Sequence, residues 1–102
     1  MMILEVAILQ VKAGQTEDFE QSFRQASQII SGMKGYISHE LQCCLEVDNQ
    51  YILLVRWQTL ADHTEGFRGS AEYQEWKQLL HHYYDPFPTV HHYETVESSQ
   101  SL

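Results

Sequence analysis

Two histidines are the residues whose type and position suggest chemistry. His39 interrupts the apolar face of a predicted strand, where burial disfavours imidazolium and leaves a neutral ring that can accept a proton from a bound molecule. His63 is three residues after Leu60 and four before Phe67, so a helix places all three on one face. We predict His39 and His63 as candidate catalytic bases. For each, the alternative is a structural histidine that packs in the core or at its rim.

Aromatic residues accompany these histidines in the sequence. A tryptophan ends the third predicted strand, and three more aromatic residues follow at helical spacing in the next element. Aromatic side chains at such spacings serve a core, and beside a pocket they also provide a flat wall for an aromatic ligand. The predicted substrate-binding residues are Trp57, Phe67, Tyr73 and Trp76.

The segment HHYYDPFPTVHHYE resembles a metal site in composition but not in spacing. Consecutive histidines diverge on a helix and point to opposite faces of a strand, so each His-His pair offers at most one ligand to a given ion. We expect no metal site, and the chain has no dinucleotide fingerprint or phosphate loop, so we expect no cofactor. The segment is better interpreted as a solvated, aromatic-rich seam between subunits.

The elements that must position these residues follow from the spacing of apolar residues. A strand over 3–11 precedes an amphipathic helix for which Thr16 is the predicted N-cap and which ends near Gly32. Two strands joined by a tight loop follow, then a helix from Leu60 that is recapped at Ser70, and a last strand, TVHHYETV. The order βαββαβ predicts an α+β fold, the ferredoxin-like sandwich. We assign residues 1–97 to one domain and expect a disordered Ser-rich tail at 98–102.

The register of the predicted hairpin decides which side chains share a pocket. A three-residue loop pairs Val47 with Tyr51 and places His39 on the same face as Trp57. A two-residue loop instead places Trp57 with Glu40 and Gln42. We prefer the first register because it collects the apolar side chains on one face.

Composition excludes several partners and suggests a compartment. The 102 residues suffice for one domain, and a net charge of -8 does not suit binding to nucleic acid or to an anionic membrane. No apolar run approaches the length of a membrane span, and Cys43 and Cys44 are adjacent, which disfavours a disulfide between them. We expect a cytoplasmic protein with free thiols.

The third strand predicts a second copy of the chain. Ile52, Leu53, Leu54 and Val55 are consecutive, so both faces of the sheet are apolar. Two helices cover only one face of a four-stranded sheet, and no segment remains to cover the other. We therefore predict a homodimer in which two sheets pack face to face.

The motifs taken in series resemble the antibiotic biosynthesis monooxygenase family. The likeness extends from about residue 2 to about residue 96, and each motif alone is loose. The motifs are Gly35-Tyr36-x-x-His39-Glu40-Leu41, then Val55-Arg56-Trp57, then Ala61-x-His63, and then Phe67-x-x-Ser70-x-x-Tyr73-x-x-Trp76. The resemblance implies a dimeric α+β barrel with a pocket between sheet and helices in each subunit.

The resemblance also implies an activity. Some members of that family oxidise phenolic or quinol-like aromatic compounds with O₂ without a cofactor, and Trp57 aligns with a strand-end Trp that lines the pocket in several of them. The hypothesis is that His39 or His63 deprotonates a phenol while Trp57 stacks on its ring. Haem degradation, known in another branch, is disfavoured because the first strand has no Asn and Lys77 lies near the expected His position. The alternatives are a non-catalytic ligand-binding or stress-response barrel and a pH switch at the dimer interface.

Overall fold

The computed structural model describes residues 2–99, which form one antiparallel sheet with two helices packed on it. The strands are β1 (Ile3–Gln10), β2 (Tyr36–Cys43), β3 (Gln50–Trp57) and β4 (Val90–Glu94), in the spatial order β2-β3-β1-β4. Helix α1 (Thr16–Ile30) follows β1, and α2 (Ala71–Leu80) precedes β4. The predicted ferredoxin-like α+β fold is confirmed. Residue 1 and residues 100–102 lie outside the described part, so the predicted tail stays a prediction.

The second helical region is divided into three pieces. A π-helical segment (Asp62–Phe67) precedes α2, and a 3₁₀ turn (His81–Tyr83) follows it. The predicted break at the glycines and the recapping at Ser70 are both observed, because Ser70 Oγ accepts a hydrogen bond from the backbone N–H of Tyr73 at 3.1 Å. The helical conformation begins at Leu60, as predicted, and continues through Ala61 into the π-helical segment. Among residues 2–99 there is no helix of the length and hydropathy that crossing a bilayer requires.

The core lies between the helices and one face of the sheet. Alternate residues of β1 and β3 point into it, as period-two packing requires. Its largest fully buried side chains come from β1, both helical regions and β3: Leu9, Phe19, Ile30, Val55, Trp57, Phe67 and Leu80.

The predicted pairing of Val47 with Tyr51 is wrong. Tyr51 pairs with Cys43, and the chain from residue 44 to residue 49 forms a longer loop in which Asn49 has a φ of 64°. The apolar alternation that suggested a longer β2 continues into this loop, where Leu45 is 89% exposed. Because the register differs by four residues, an even number, His39 still faces the helices opposite Val55. At the start of β2 the predicted faces are wrong, because an irregularity between Tyr36 and Ser38 places Tyr36 opposite Trp57 on the inner face.

The opposite face of the sheet has no helix on it within residues 2–99. It is apolar along the two central strands, where Val6 pairs with Leu54 and Ile8 pairs with Ile52. These side chains are only partly buried, and Ile8 is 43% exposed. The prediction of an apolar second face therefore agrees with the structure, and the homodimer inferred from it remains a prediction.

Candidate active site

A cavity of about 380 Å³ opens between the inner face of the sheet and the α2 region. This volume is within the range of small-molecule sites. β1 and β3 form its floor, and the π-helical segment, α2 and the chain that leads to β4 form its walls. Five aromatic side chains line it, namely Phe67, Tyr73, Trp76, Tyr84 and Phe87, and the other apolar lining residues are Ala7, Leu9, Leu53, Pro88 and Val90.

One carboxyl, one guanidinium and two imidazole side chains line the same cavity. Glu5 comes from β1, His63 from the π-helical segment, Arg68 from the turn that follows it, and His81 from the 3₁₀ turn after α2. Glu5 and His63 are buried polar groups, with 6% and 3% of their surfaces exposed, whereas Arg68 is exposed. The cavity thus combines an aromatic wall with a buried carboxyl–imidazole pair, and a cationic side chain also contributes to its lining.

Glu5 is held by two ring nitrogens at one of its oxygens. Trp57 Nε1 donates a hydrogen bond to Glu5 Oε1 at 2.9 Å, and His63 Nε2 lies 3.3 Å from the same oxygen. Both contacts use Oε1, which leaves Oε2 for a molecule in the cavity. Trp57 also stacks on the His63 ring, with centroids 5.4 Å apart and planes 20° from parallel.

His92 extends the cluster toward the protein surface. It pairs with Glu5 across the β1–β4 ladder, so the two side chains lie side by side on the inner face. His92 Nε2 lies 2.7 Å from His63 Nδ1, so the His63 ring bridges Glu5 and His92 through its two nitrogens. His92 itself is only half-buried.

Burial shifts the pKa values of this cluster in opposite directions. It raises the pKa of Glu5, although the Trp57 hydrogen bond and the charge of Arg68 oppose the change. It lowers the pKa of His63 to about 3, with smaller contributions from Arg68 and His92. His63 is therefore neutral at neutral pH, and its 3.3 Å contact with Glu5 Oε1 joins an uncharged ring to the carboxyl group. A carboxyl with a raised pKa beside a neutral imidazole is suited to accepting a proton from a weak acid.

Local structure fixes His63 above the sheet. Thr59 Oγ1 accepts a hydrogen bond from the backbone N–H of Asp62 at 3.1 Å, which caps the helical turn that begins at Leu60 and continues into the π-helical segment. Gly35, at the start of β2, has a φ of 83° and lies so close to Asp62 that an added Cβ would be 2.1 Å from its carboxylate. The start of β2 and the π-helical segment are thus in direct contact.

Of the residues predicted to bind substrate, three line the cavity and one does not. Phe67, Tyr73 and Trp76 form its aromatic wall. Trp57 is fully buried behind His63, where it orients Glu5 instead of contacting the cavity. The stacking of Trp57 on a substrate ring, expected from the sequence, is replaced by its stacking on His63.

The two predicted bases do not share a pocket. His63 lines the cavity, whereas His39 lines a separate hollow under α1. There both ring nitrogens are occupied, Nε2 by Ser27 Oγ at 3.1 Å and Nδ1 by Tyr36 Oη at 2.5 Å. These contacts match the structural alternative for His39, a histidine whose hydrogen bonds are satisfied.

The sequence-based site lacked the carboxyl, guanidinium and two further imidazole side chains of the cavity and cluster, which are those of Glu5, Arg68, His81 and His92. Glu5 is the one charged residue within the apolar strand β1, and that isolation is a signal for a buried functional carboxyl. His92 was assigned to the seam because its partner strand was unknown. Within residues 2–99, no three His, Cys, Asp or Glu side chains are grouped as metal binding requires.

Comparison with known proteins identifies relatives over most of the chain. The sequence model of the antibiotic biosynthesis monooxygenase family matches residues 2–79. YczJ of Bacillus subtilis (strain 168), an uncharacterized protein, is 61% identical over 95 residues, which cover 93% of this chain and 100% of YczJ.

Solved structures show the same architecture. A Bordetella bronchiseptica protein assigned to antibiotic biosynthesis monooxygenases superposes with a TM-score of 0.90 at 34% identity, over 94% of this chain and 98% of that chain. SnoaB, a cofactor-independent oxygenase from Streptomyces nogalater, superposes with a TM-score of 0.74 at 17% identity, over 96% of this chain and 95% of its own. At that identity, SnoaB shows the shared fold alone.

Proposed function

The chain belongs to the antibiotic biosynthesis monooxygenase family, and on that premise we propose that it oxidises a small phenolic or quinol-like aromatic compound with O₂ in the cavity described above, without a cofactor. The observation that carries the proposal is the buried Glu5–His63 pair at the edge of an aromatic-walled cavity of about 380 Å³. SnoaB, which has the same fold, is a cofactor-independent oxygenase, and this supports the reaction class.

In the proposed reaction the substrate supplies the electrons. Glu5 Oε2 takes the phenol proton, and the phenolate is a much better electron donor to O₂ than the phenol. For a simple case, 1-naphthol and O₂ give 1,4-naphthoquinone and water. A ring C–H becomes C=O, one oxygen atom enters the product, and the other leaves as water with the two hydrogens that the substrate loses. The four electrons come from the substrate, so the balance needs no external reductant.

The cavity residues have separate roles in this proposal. Phe67, Tyr73 and Trp76 pack against the substrate ring and exclude water from it. Arg68 stabilises the negative charge that develops on the phenolate and on reduced oxygen, because it is the charged side chain of the lining whose field lowers the pKa of both Glu5 and His63. Trp57 and His63 hold Glu5 in place through Oε1.

We further propose that two chains pair through the apolar sheet face to form a dimeric α+β barrel. This face carries Leu4, Val6 and Ile8 of β1 beside Ile52 and Leu54 of β3, all on the side away from the helices. Pairing this face with the same face of a second chain removes both apolar surfaces from water.

The function is tested by oxygen uptake. Purified protein is supplied with 1-naphthol or anthrone in an oxygen electrode, with autoxidation subtracted. Replacing Glu5 with Gln is expected to lower the enzymatic rate by about a hundredfold, since it removes the base and keeps the shape. Glu17→Gln makes the same chemical change at an exposed position of α1 and is the matched control.

Two further variants assign the base. His63→Gln is expected to lower the rate, whereas His39→Gln is expected to affect it far less, because His39 lies outside the cavity. A wild-type rate equal to the blank, with naphthol binding still visible in Trp fluorescence, would contradict oxygenation and support the ligand-binding alternative.

A further inference from the structure

We propose that Glu5, His63 and His92 form a proton relay that exchanges protons between the cavity and solvent, with His92 as its solvent-side end. The proposal rests on the proposed function for its role in turnover. Its geometry rests on the contacts alone. Glu5 lines the cavity, His63 lies between the other two, and half-buried His92 completes the path outward.

The three side chains form a continuous path because the π-helical segment crosses the sheet where β1 and β4 are neighbours. Glu5 and His92 are direct partners in the β1–β4 ladder, and the π-helical segment places His63 over both. The successive separations are 3.3 Å from Glu5 Oε1 to His63 Nε2 and 2.7 Å from His63 Nδ1 to His92 Nε2. An imidazole that has a partner at each nitrogen can accept a proton at one and release a proton from the other.

Two arrangements of hydrogens satisfy these contacts. With Glu5 ionised, His92 Nε2–H donates to His63 Nδ1, and His63 Nε2–H donates to Glu5. With Glu5 protonated, the carboxyl donates to His63 Nε2, and His63 Nδ1–H donates to His92 Nε2, whose own proton then sits on Nδ1. The second arrangement holds one proton more than the first. Moving from one to the other transfers one proton between water at His92 and Oε1 of Glu5, and a proton that Glu5 takes from the substrate at Oε2 enters this path when the carboxyl group rotates.

The groups around the relay disfavour a stable imidazolium on either His63 or His92. Trp57 from β3 and the Arg68 guanidinium face Glu5, and Arg68 and His91 act on His92. Burial lowers the pKa of both His63 and His92, so neither ring holds the proton as a stable imidazolium at neutral pH. Protons therefore pass through the rings without remaining on them.

The relay gives the buried carboxyl of Glu5 a way to exchange protons with water while substrate is bound. Glu5 is 94% buried, and a substrate that fills the cavity separates it from bulk water. The net conversion of a naphthol to a naphthoquinone and water releases no proton, but its steps take protons from the substrate and return protons to oxygen. A path through His92 lets Glu5 change its protonation state while the cavity is occupied. His92 contacts no substrate, so it is a positioning and relay residue, not a catalytic one.

The first test needs no turnover. The protein is labelled with ¹⁵N-histidine and ¹³C-glutamate, and the Glu5 carboxyl and the His63 nitrogens are followed by NMR as the pH is lowered. The relay predicts that the neutral His63 ring changes from the Nε2–H to the Nδ1–H tautomer as Glu5 becomes protonated. A His63 ring that keeps one neutral tautomer throughout the Glu5 titration would overturn the relay.

The second test uses turnover with 1-naphthol. His92→Gln retains an N–H donor for His63 Nδ1 but cannot pass a proton on, so kcat is expected to fall about tenfold with KM changed less than about twofold. Added imidazole is expected to restore part of the rate, and His91→Gln, at the exposed neighbouring position of β4, is the matched control. Full activity in His92→Gln would show that the hydrogen bond alone matters and would overturn the relay.

The two proposals fail in different ways. A tautomer change in the first test with no O₂ uptake by the wild type would leave the relay in place and refute the oxygenase function. Oxygen uptake without a tautomer change would do the reverse.

Discussion

Glu5 and His63 occupy one buried environment, and that environment keeps both groups from carrying charge easily. Burial raises the pKa of the carboxyl and lowers that of the imidazole. The indole N–H of Trp57 partly compensates by donating to the carboxylate, and a hydrogen bond of this type to a charged group contributes about 1.5–3 kcal/mol. The fully buried Trp57 thus orients the Glu5 carboxyl group through this hydrogen bond.

The low pKa of His63 predicts how stability depends on pH. An unfolded chain protonates this histidine below about pH 6.5, whereas the folded protein does so only near pH 3, so the free energy of unfolding falls as the pH drops through that window. The limiting slope is about 1.4 kcal/mol per pH unit for one proton. Burial lowers the pKa of His39, His81 and His92 as well, and these groups act in the same direction. The raised pKa of Glu5 acts in the opposite direction.

Urea unfolding of wild type and His63→Gln, followed by far-UV circular dichroism, measures this contribution. From about pH 7 to about pH 5, the variant is expected to lose about 2 kcal/mol less stability than the wild type, because it lacks the suppressed protonation. Equal losses in the two proteins would show that His63 titrates normally in the fold.

At the scale of elements, the π-helical segment connects β3 to α2 and brings His63 over β1. π-Helical turns are rare and are frequent at functional sites, which agrees with the position of this one beside the cavity. Asp62, the first residue of the segment, lies against Gly35, which directly precedes β2. The backbone oxygen of Gly35 accepts a hydrogen bond from Gln58 N–H at 2.8 Å. The glycine is needed there for its positive φ and for the close approach of Asp62.

Alanine substitutions at two glycines separate the cost of the positive φ from the cost of the close contact with Asp62. Gly14 and Gly35 have nearly the same φ, 81° and 83°, but an added Cβ at Gly14 meets no atom within 4 Å, whereas at Gly35 it overlaps the Asp62 side chain. Gly14→Ala is expected to cost about 1 kcal/mol for the backbone conformation. Gly35→Ala is expected to cost at least about 2 kcal/mol more, because Asp62 and the π-helical segment must shift. Chemical denaturation measures both, and equal costs would mean that the contact carries no energy.

At the scale of the whole molecule, the sheet has one face covered by helices and one apolar face open within residues 2–99. Leu54 lies near the centre of the open face, paired with Val6 on one side and Glu40 on the other. An interface that buries this face depends on its apolar centre, and a lysine there leaves a charge that must be desolvated.

Light scattering after size-exclusion chromatography tests the dimer. Wild type is expected to have the mass of two chains, and Leu54→Lys the mass of one with an unchanged far-UV spectrum. Gln28→Lys adds the same charge at an exposed position of α1 and is expected to remain dimeric. A monomeric wild type, or a dimeric Leu54→Lys protein, would contradict pairing through this face.

Local patterns determined the elements and much of the cavity wall. Helical spacing placed Phe67, Tyr73 and Trp76 on one face, and they line the cavity together. Alternation and the run Ile52–Val55 identified the strands and the apolar second face of the sheet, and the motifs in series identified the family. These features depend on residues near one another in the chain, so periodicity is enough to find them.

The tertiary structure decided which polar groups form the site. Glu5 and His92 are 87 positions apart, and only the β1–β4 pairing makes them neighbours. His39 and His63 looked equivalent in the sequence, yet the order of the strands places them in different hollows. Trp57, a predicted substrate contact, is fully buried, stacks on His63 of the π-helical segment and donates a hydrogen bond to Glu5. Periodicity assigns a side chain to a face, whereas its partners on that face depend on strand order and helix placement, which are set by packing of the whole chain.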